Sequence, residues 1–200
     1  MKSKYAVSKE LRMNISEFRD LLNVLIDDLK SINKKGISQF WRRTLLRTMF
    51  ANIESFTYAI KHIAFQISIV KSKKLSISEK LFIDEEEYKL EDNGEITHGK
   101  RAKIRTKSNF LFSFKVLAKV CGTVSPIKTD KSNDWNNFIN VLKLRNRITH
   151  PKNKFQLTIT DEEYEKIREV LRWYIKLLGD SSNLIFEQLN SYEADVKKAT

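Results

Sequence analysis

Apolar side chains recur along this chain in steps of three and four, the spacing of helices that bury one face. Phe18, Leu21, Leu22, Leu25, Ile26, Leu29 and Ile32 form a first stripe, with Ser16 placed to cap its start and Gly36 to end it. Ser38 opens a second stripe through Trp41, Leu45, Met49, Ile53, Phe56, Ile60, Ile63 and Ile67, which predicts a helix over 38–70. The connection is short, so these two helices are expected to form an antiparallel hairpin. Ser76 and Glu79 have the spacing of a capping box and predict a short helix over 77–88.

The helical pattern lapses over 88–104. There Asn93 followed by Gly94 signals a type I′ turn, hence a small β-hairpin or irregular insertion. Helix resumes near Ser108 with Phe110, Phe114, Leu117 and Cys121 on one face, and Gly122 closes it. A further helix is expected over 134–149, stopping at Pro151. Thr160 with Glu163 is a second capping box, leading into Tyr164, Ile167, Leu171, Tyr174 and Leu178. Residues 179–182 read as a break before a last helix. The expectation is an all-α, up-and-down helical bundle in one domain over 1–200: an N-terminal helix in 1–36, a bundle core over 38–180 and a C-terminal helix over 181–200.

Composition supports long helices, because five Gly and two Pro in 200 residues leave few turns for a sandwich or barrel. No stretch approaches the roughly 20 uncharged apolar residues of a membrane span, and the start is basic and polar rather than signal-like. A cytoplasmic protein without a membrane association is therefore expected. A single cysteine, Cys121, excludes an internal disulfide and a cysteine-based zinc site. His62, His98 and His150 lie far apart, so neither a metal site nor a cofactor is expected. Cys121, Trp41, Trp135 and Trp173 fall on apolar stripes and are expected in the core. The acidic run Asp84, Glu85, Glu86 and Glu87 is expected to be a solvated face.

Charge adds a partner. Lys and Arg number 37 against 25 Asp and Glu, a net +12 that favours a polyanion through phosphate neutralisation. Lys100, Arg101, Lys103 and Arg105 concentrate part of that excess directly after the acidic stretch, which fits either an internal ion-pair arrangement or a basic face, with these residues as candidate RNA contacts.

One segment stands apart, from Leu144 through Arg145, Asn146, Arg147, Ile148, Thr149 and His150 to Pro151 and Lys152. Trp135, Phe138 and Leu142 define a stripe that reaches Arg145 three residues later, and an arginine closing an apolar face needs an anion, a partner or water. Asn146 and His150 are four apart, which would let the amide orient the imidazole. Pro151 disfavours helical backbone at His150 and places it at the C-terminal, negative end of the helix dipole. A guanidinium and an imidazole one turn apart suit phosphodiester cleavage by a ribose 2′-hydroxyl. The histidine moves a proton, while the arginine holds charge on the phosphate oxygens.

Arg145, Asn146 and His150 in the pattern R-N-x-x-x-H resemble the Rx4-6H signature of the HEPN superfamily, late in an all-α bundle with a helix following. The resemblance implies a metal-independent endoribonuclease that cuts single-stranded RNA or tRNA, acting as a toxin or antiphage effector, with RNA, a second copy of the chain, and an antitoxin or defence-system protein as partners. Arg145 and His150 would be catalytic and Asn146 would support them, with Arg147 and Lys152 as further RNA contacts. Some relatives of that kind carry a tyrosine two residues after the histidine. Here the position is Lys152, so the likeness does not extend to nucleotide addition there. Two other readings stand beside this one. A catalytically silent HEPN module could bind RNA, a nucleotide or a partner chain. Alternatively, Arg145 pairs with a bundle carboxylate such as Glu54 while His150 only ends its helix.

Overall fold

The computed structural model describes residues 4–34, 38–85, 87–98, 104–130 and 132–198. Among them the chain is an all-α helical bundle of six α-helices with one small hairpin. The order is α1 (Lys4–Lys34), α2 (Gln39–Val70), α3 (Ile77–Asp84), β1 (Tyr88–Leu90), β2 (Ile96–His98), α4 (Thr106–Cys121), α5 (Asn133–Thr149) and α6 (Asp161–Lys198), with a 3-10 turn at Lys154–Leu157 between the last two. No described helix is long and apolar enough to cross a membrane. The packing divides into two compact units, where the sequence pattern shows no boundary. One comprises Met1–Ser16, Phe56–Ser125 and Gln188–Thr200, the other Glu17–Ser55 and Pro126–Glu187.

The second unit is built on an aromatic core. Phe138 stacks on Trp135 at 5.2 Å and meets Phe50 of α2 at 6.0 Å and Trp173 of α6 at 5.8 Å. The Tyr174 hydroxyl donates to Asn52 Oδ1 at 2.6 Å, which satisfies a polar group that burial would otherwise penalise. Burial holds the Tyr174 phenol well above its ordinary titration range.

In the first unit, Phe114 packs on Phe56 at 5.9 Å and on Phe110 at 5.0 Å. The Ser76–Glu79 capping box forms as expected and starts α3. That helix ends at Asp84, four residues earlier than expected, because Glu85 turns into the left-handed region at φ 55°. The acidic run is therefore not one solvated face. Asp84 and Glu87 are exposed, Glu86 lies outside the described residues, and Glu85 is buried. Its Oε1 accepts from the fully buried Lys61 Nζ at 2.7 Å and from Asn109 Nδ2 at 3.0 Å. Lys61 also donates to the Phe82 carbonyl at 3.1 Å. Left-handed backbone costs a non-glycine residue about 1–2 kcal/mol, and this ion pair holds Glu85 there.

The hairpin pairs Tyr88 with His98 and Leu90 with Ile96 in antiparallel register. Its turn is not type I′: Asn93 keeps a negative φ and Gly94 alone is positive, at 80°. Gly94 N–H donates to Glu91 O and Glu91 N–H to Glu95 O, the pattern of a three-residue loop whose glycine takes the left-handed position.

Two helix boundaries also differ from expectation. Ser16 is interior to α1, not its cap, because Leu11 and Ile15 extend the buried stripe of Phe18, Leu22 and Leu29 towards the N-terminus. Gly36 lies outside the described residues. Gly179 does not break the chain, so there is no separate helix over 181–200. Leu177, Ser181 and Ile185 are buried at four-residue steps across it, and α6 runs through. Cys121 is only half-buried, though burial still pushes its thiol up to about 11.

Candidate active site

Helix α5 starts at Ser132, whose hydroxyl accepts from the Trp135 N–H. Its buried face, Trp135, Phe138, Val141, Leu144 and Ile148, sets which side chains remain for the surface at its far end. Arg145 is one of these, and three groups hold its guanidinium. Nη2 donates to Glu54 Oε1 of α2 at 3.0 Å, Nη1 donates to Asn146 Oδ1 at 3.2 Å, and the Phe50 ring lies 5.9 Å from its central carbon. The carboxylate facing it is Glu54, the pairing expected under the alternative in which the arginine serves the bundle.

The helix stops at His150 because Pro151 follows. The His150 N–H still reaches the Asn146 carbonyl at 3.1 Å, and the Thr149 hydroxyl donates back to the Arg145 carbonyl at 2.7 Å. The expected orientation of the imidazole by Asn146 does not form. His150 has φ −126°, roughly 60° away from helical backbone, and no hydrogen bond joins its ring to Asn146. The Asn146 amide oxygen is given to Arg145 instead. The His150 ring is exposed, and no described residue hydrogen-bonds to it.

After His150 the chain makes a tight excursion. Asn153 Oδ1 accepts from the Gln156 N–H at 3.2 Å, while Gln156 Oε1 accepts from the Lys152 N–H at 2.8 Å. This shapes the 3-10 turn and leaves the Lys152, Lys154 and Phe155 side chains in solvent. Lys154 Nζ lies 5.4 Å from the centre of the Phe155 ring. The Thr160–Glu163 capping box then starts α6 as expected.

The excursion is fastened along one side by α2. Gln39 exchanges two hydrogen bonds with the Ile159 backbone, at 2.8 and 2.9 Å. Arg42 donates to the Ile159 carbonyl at 2.9 Å and pairs with Asp161. Arg43 donates to the Leu157 carbonyl at 3.2 Å, and Arg47 to the Ile148 carbonyl at 3.4 Å. Positions 39, 43, 47 and 54 recur at helical steps, so the polar face of α2 follows the end of α5 and the loop beyond it.

Arg147, expected as an RNA contact, lies in the fastening. Its two terminal nitrogens grip the Glu163 carboxylate at 2.9 and 3.0 Å, and Nη2 also donates to the Thr158 carbonyl at 2.7 Å. Burial alone would raise the Glu163 carboxyl. The Arg147 hydrogen bonds, the Thr160 N–H and the nearby cationic charges outweigh it, so this carboxyl titrates below its ordinary 4.5. Arg105 is exposed at the start of α4 in the other unit, while Lys100, Arg101 and Lys103 lie outside the described residues. Among the described residues no group of three or more His, Cys, Asp or Glu side chains is arranged to hold a metal.

The sequence reading missed Arg43 and Arg47 entirely. Their signal was two cations four apart on the face of α2 opposite its apolar stripe, visible only once the partner of that face is known. No family model, curated protein or solved structure matches this chain.

Proposed function

We propose that this chain is a metal-independent endoribonuclease acting on single-stranded RNA or tRNA in the cytoplasm, in the manner of the HEPN proteins that its R-N-x-x-x-H segment resembles. The observation that carries the reading is the His150 ring, exposed and unbonded, one turn beyond an Arg145 guanidinium held by Glu54, Asn146 and Phe50. In the reaction His150 takes the proton of a ribose 2′-hydroxyl. The freed oxygen attacks the adjacent phosphorus, and the bond from phosphorus to the 5′-oxygen breaks. Arg145 holds the charge that builds on the phosphate oxygens. The products are a 2′,3′-cyclic phosphate and a 5′-hydroxyl, the latter taking a proton from a general acid. In a homodimer pairing two α5 ends, the second copy's histidine supplies that acid. Such an activity fits a toxin or antiphage effector held in check by an antitoxin or defence-system protein.

One observation favours a second reading. The Glu54 carboxylate occupies a donor of the arginine that a phosphate would need, which suits a silent module that binds RNA, a nucleotide or a partner chain without cutting. Wild-type protein and His150→Ala, each incubated with end-labelled tRNA and single-stranded RNA in EDTA, separate the two. Cyclic-phosphate products from the wild type alone are expected, since His150 is exposed and its loss leaves the fold intact. Cleavage retained in the variant overturns the assignment, and salt-sensitive binding without scission transfers it to the silent module.

A further inference from the structure

Of the arginines around the end of α5, most are already matched by a carboxylate: Arg145 by Glu54, Arg147 by Glu163 and Arg42 by Asp161. Arg43 and Arg47 are not. Each makes one hydrogen bond, to a backbone carbonyl, and neither has an acidic partner among the described residues. A guanidinium has five N–H donors in a fixed fork, so both keep donors and a full charge for an incoming anion. Their acceptors place them. Arg47 reaches the carbonyl of Ile148, two residues before His150, and Arg43 reaches Leu157 at the end of the 3-10 turn. The two lie one helical turn apart on α2, about 6 Å along its axis, close to the repeat of an extended nucleic-acid backbone. In the same 3-10 turn as Leu157, Phe155 is 75% exposed, and its ring offers a surface on which a base can stack.

We infer that Arg43 and Arg47 are the principal phosphate contacts for a single RNA strand, holding the nucleotides next to the bond at His150, with Phe155 as the stacking platform for one base. The inference rests on the RNA reading above and names the strand path for that site. Arg147, whose charge Glu163 cancels, has a positioning role and does not contribute to the path.

The test is fluorescence anisotropy of a labelled single-stranded RNA against salt concentration, in a His150→Ala background to prevent cleavage. Arg43→Gln with Arg47→Gln is expected to weaken binding about tenfold. It should also flatten the slope of log affinity against log salt by about 1.4, the release expected for two contacts on a single strand. Arg43→Lys with Arg47→Lys keeps the charges, and its slope is expected to stay with the parent, which separates lost contacts from a disturbed loop. Arg147→Gln is expected to leave the slope unchanged, and Phe155→Ala to weaken binding about tenfold with the same slope. A glutamine pair that binds with the parental slope overturns the inference, as does an Arg147 variant that matches its loss. Wild-type protein that cuts RNA through His150, together with an unaffected glutamine pair, defeats the strand path alone. Arginine-dependent binding with no cleavage defeats the catalytic reading and leaves the strand path standing. No binding at low salt defeats both.

Discussion

Arg145 on α5 and Glu54 on α2 face each other at 3.0 Å, with the arginine side chain 26% exposed and the glutamate 47% exposed. A pair this accessible is worth little to the fold, about 0–1 kcal/mol, but it decides what else the guanidinium can hold. Glu54→Gln is expected to leave thermal stability nearly unchanged while tightening RNA binding severalfold, because the phosphate no longer competes with a carboxylate. Anisotropy titrations at fixed salt check this, and weaker binding in Glu54→Gln would show that the carboxylate positions Arg145 rather than blocking it.

Glu163 links the loop after His150 to the start of α6, and its carboxyl is held below its ordinary 4.5 in the fold. A depressed carboxyl stabilises the folded state at pH values above the unfolded pKa. That contribution drains away as pH falls through the folded pKa. Melting temperatures should therefore fall as pH drops below about 4.5. Arg147→Ala, which removes the main hydrogen-bond donor, should cost about 1 kcal/mol at neutral pH and shrink the acid dependence. Equal acid sensitivity in wild type and variant would place the titrating group elsewhere, for example at Glu79, which Lys119 and Ser76 depress against its own burial.

Lys61 and Glu85 form a buried ion pair in the first unit. Lys61→Met should destabilise by about 3–5 kcal/mol in urea unfolding, because it leaves Glu85 buried without its cation. Adding Glu85→Gln should recover part of that loss, since the stranded charge is then gone. A double variant no more stable than Lys61→Met would mean that packing, not charge, sets the cost.

Gly179 sits inside α6 with nothing within 4 Å of where a Cβ would be. Gly179→Ala is expected to stabilise the protein by about 0.5–1 kcal/mol, a rise of roughly 1–4 °C in melting temperature. An unchanged or lower melting point would reveal a need for glycine that the helical backbone does not display.

Much of the fold was legible because its signals are local. Both capping boxes form at the residues their spacing indicated, and Gly122 closes α4 with the left-handed backbone glycine favours. Where local reading failed, a longer stripe won. Gly179 has the propensity of a helix breaker, yet about 1 kcal/mol of propensity is small beside the burial of Leu177, Leu178 and Ile185 around it. Ser16 has the chemistry of a cap, but Leu11 and Ile15 continue the apolar face past it. In the site, His150 at the end of α5 was readable from Pro151. That the Asn146 amide oxygen serves Arg145 instead was not, because both partners lie within reach of it along the helix.

The chain by itself determined its helices, most of their caps and the place of Arg145, Asn146 and His150 on one helix end. Those features rest on interactions within about four residues, and spacing encodes them directly. Only the tertiary structure decided which charges cancel, including the Arg145–Glu54 pair that the sequence offered as one alternative among several. Glu54 meets Arg145 across 91 residues, Glu85 meets Lys61 across 24, and Glu163 meets Arg147 across 16. Such pairings follow from which helix faces pack together, and a charge looks the same in sequence whether its partner is a carboxylate or solvent. That is why Arg147 stood out as an RNA contact while Arg43 and Arg47, which among the described residues have no carboxylate partner beside the end of α5, did not.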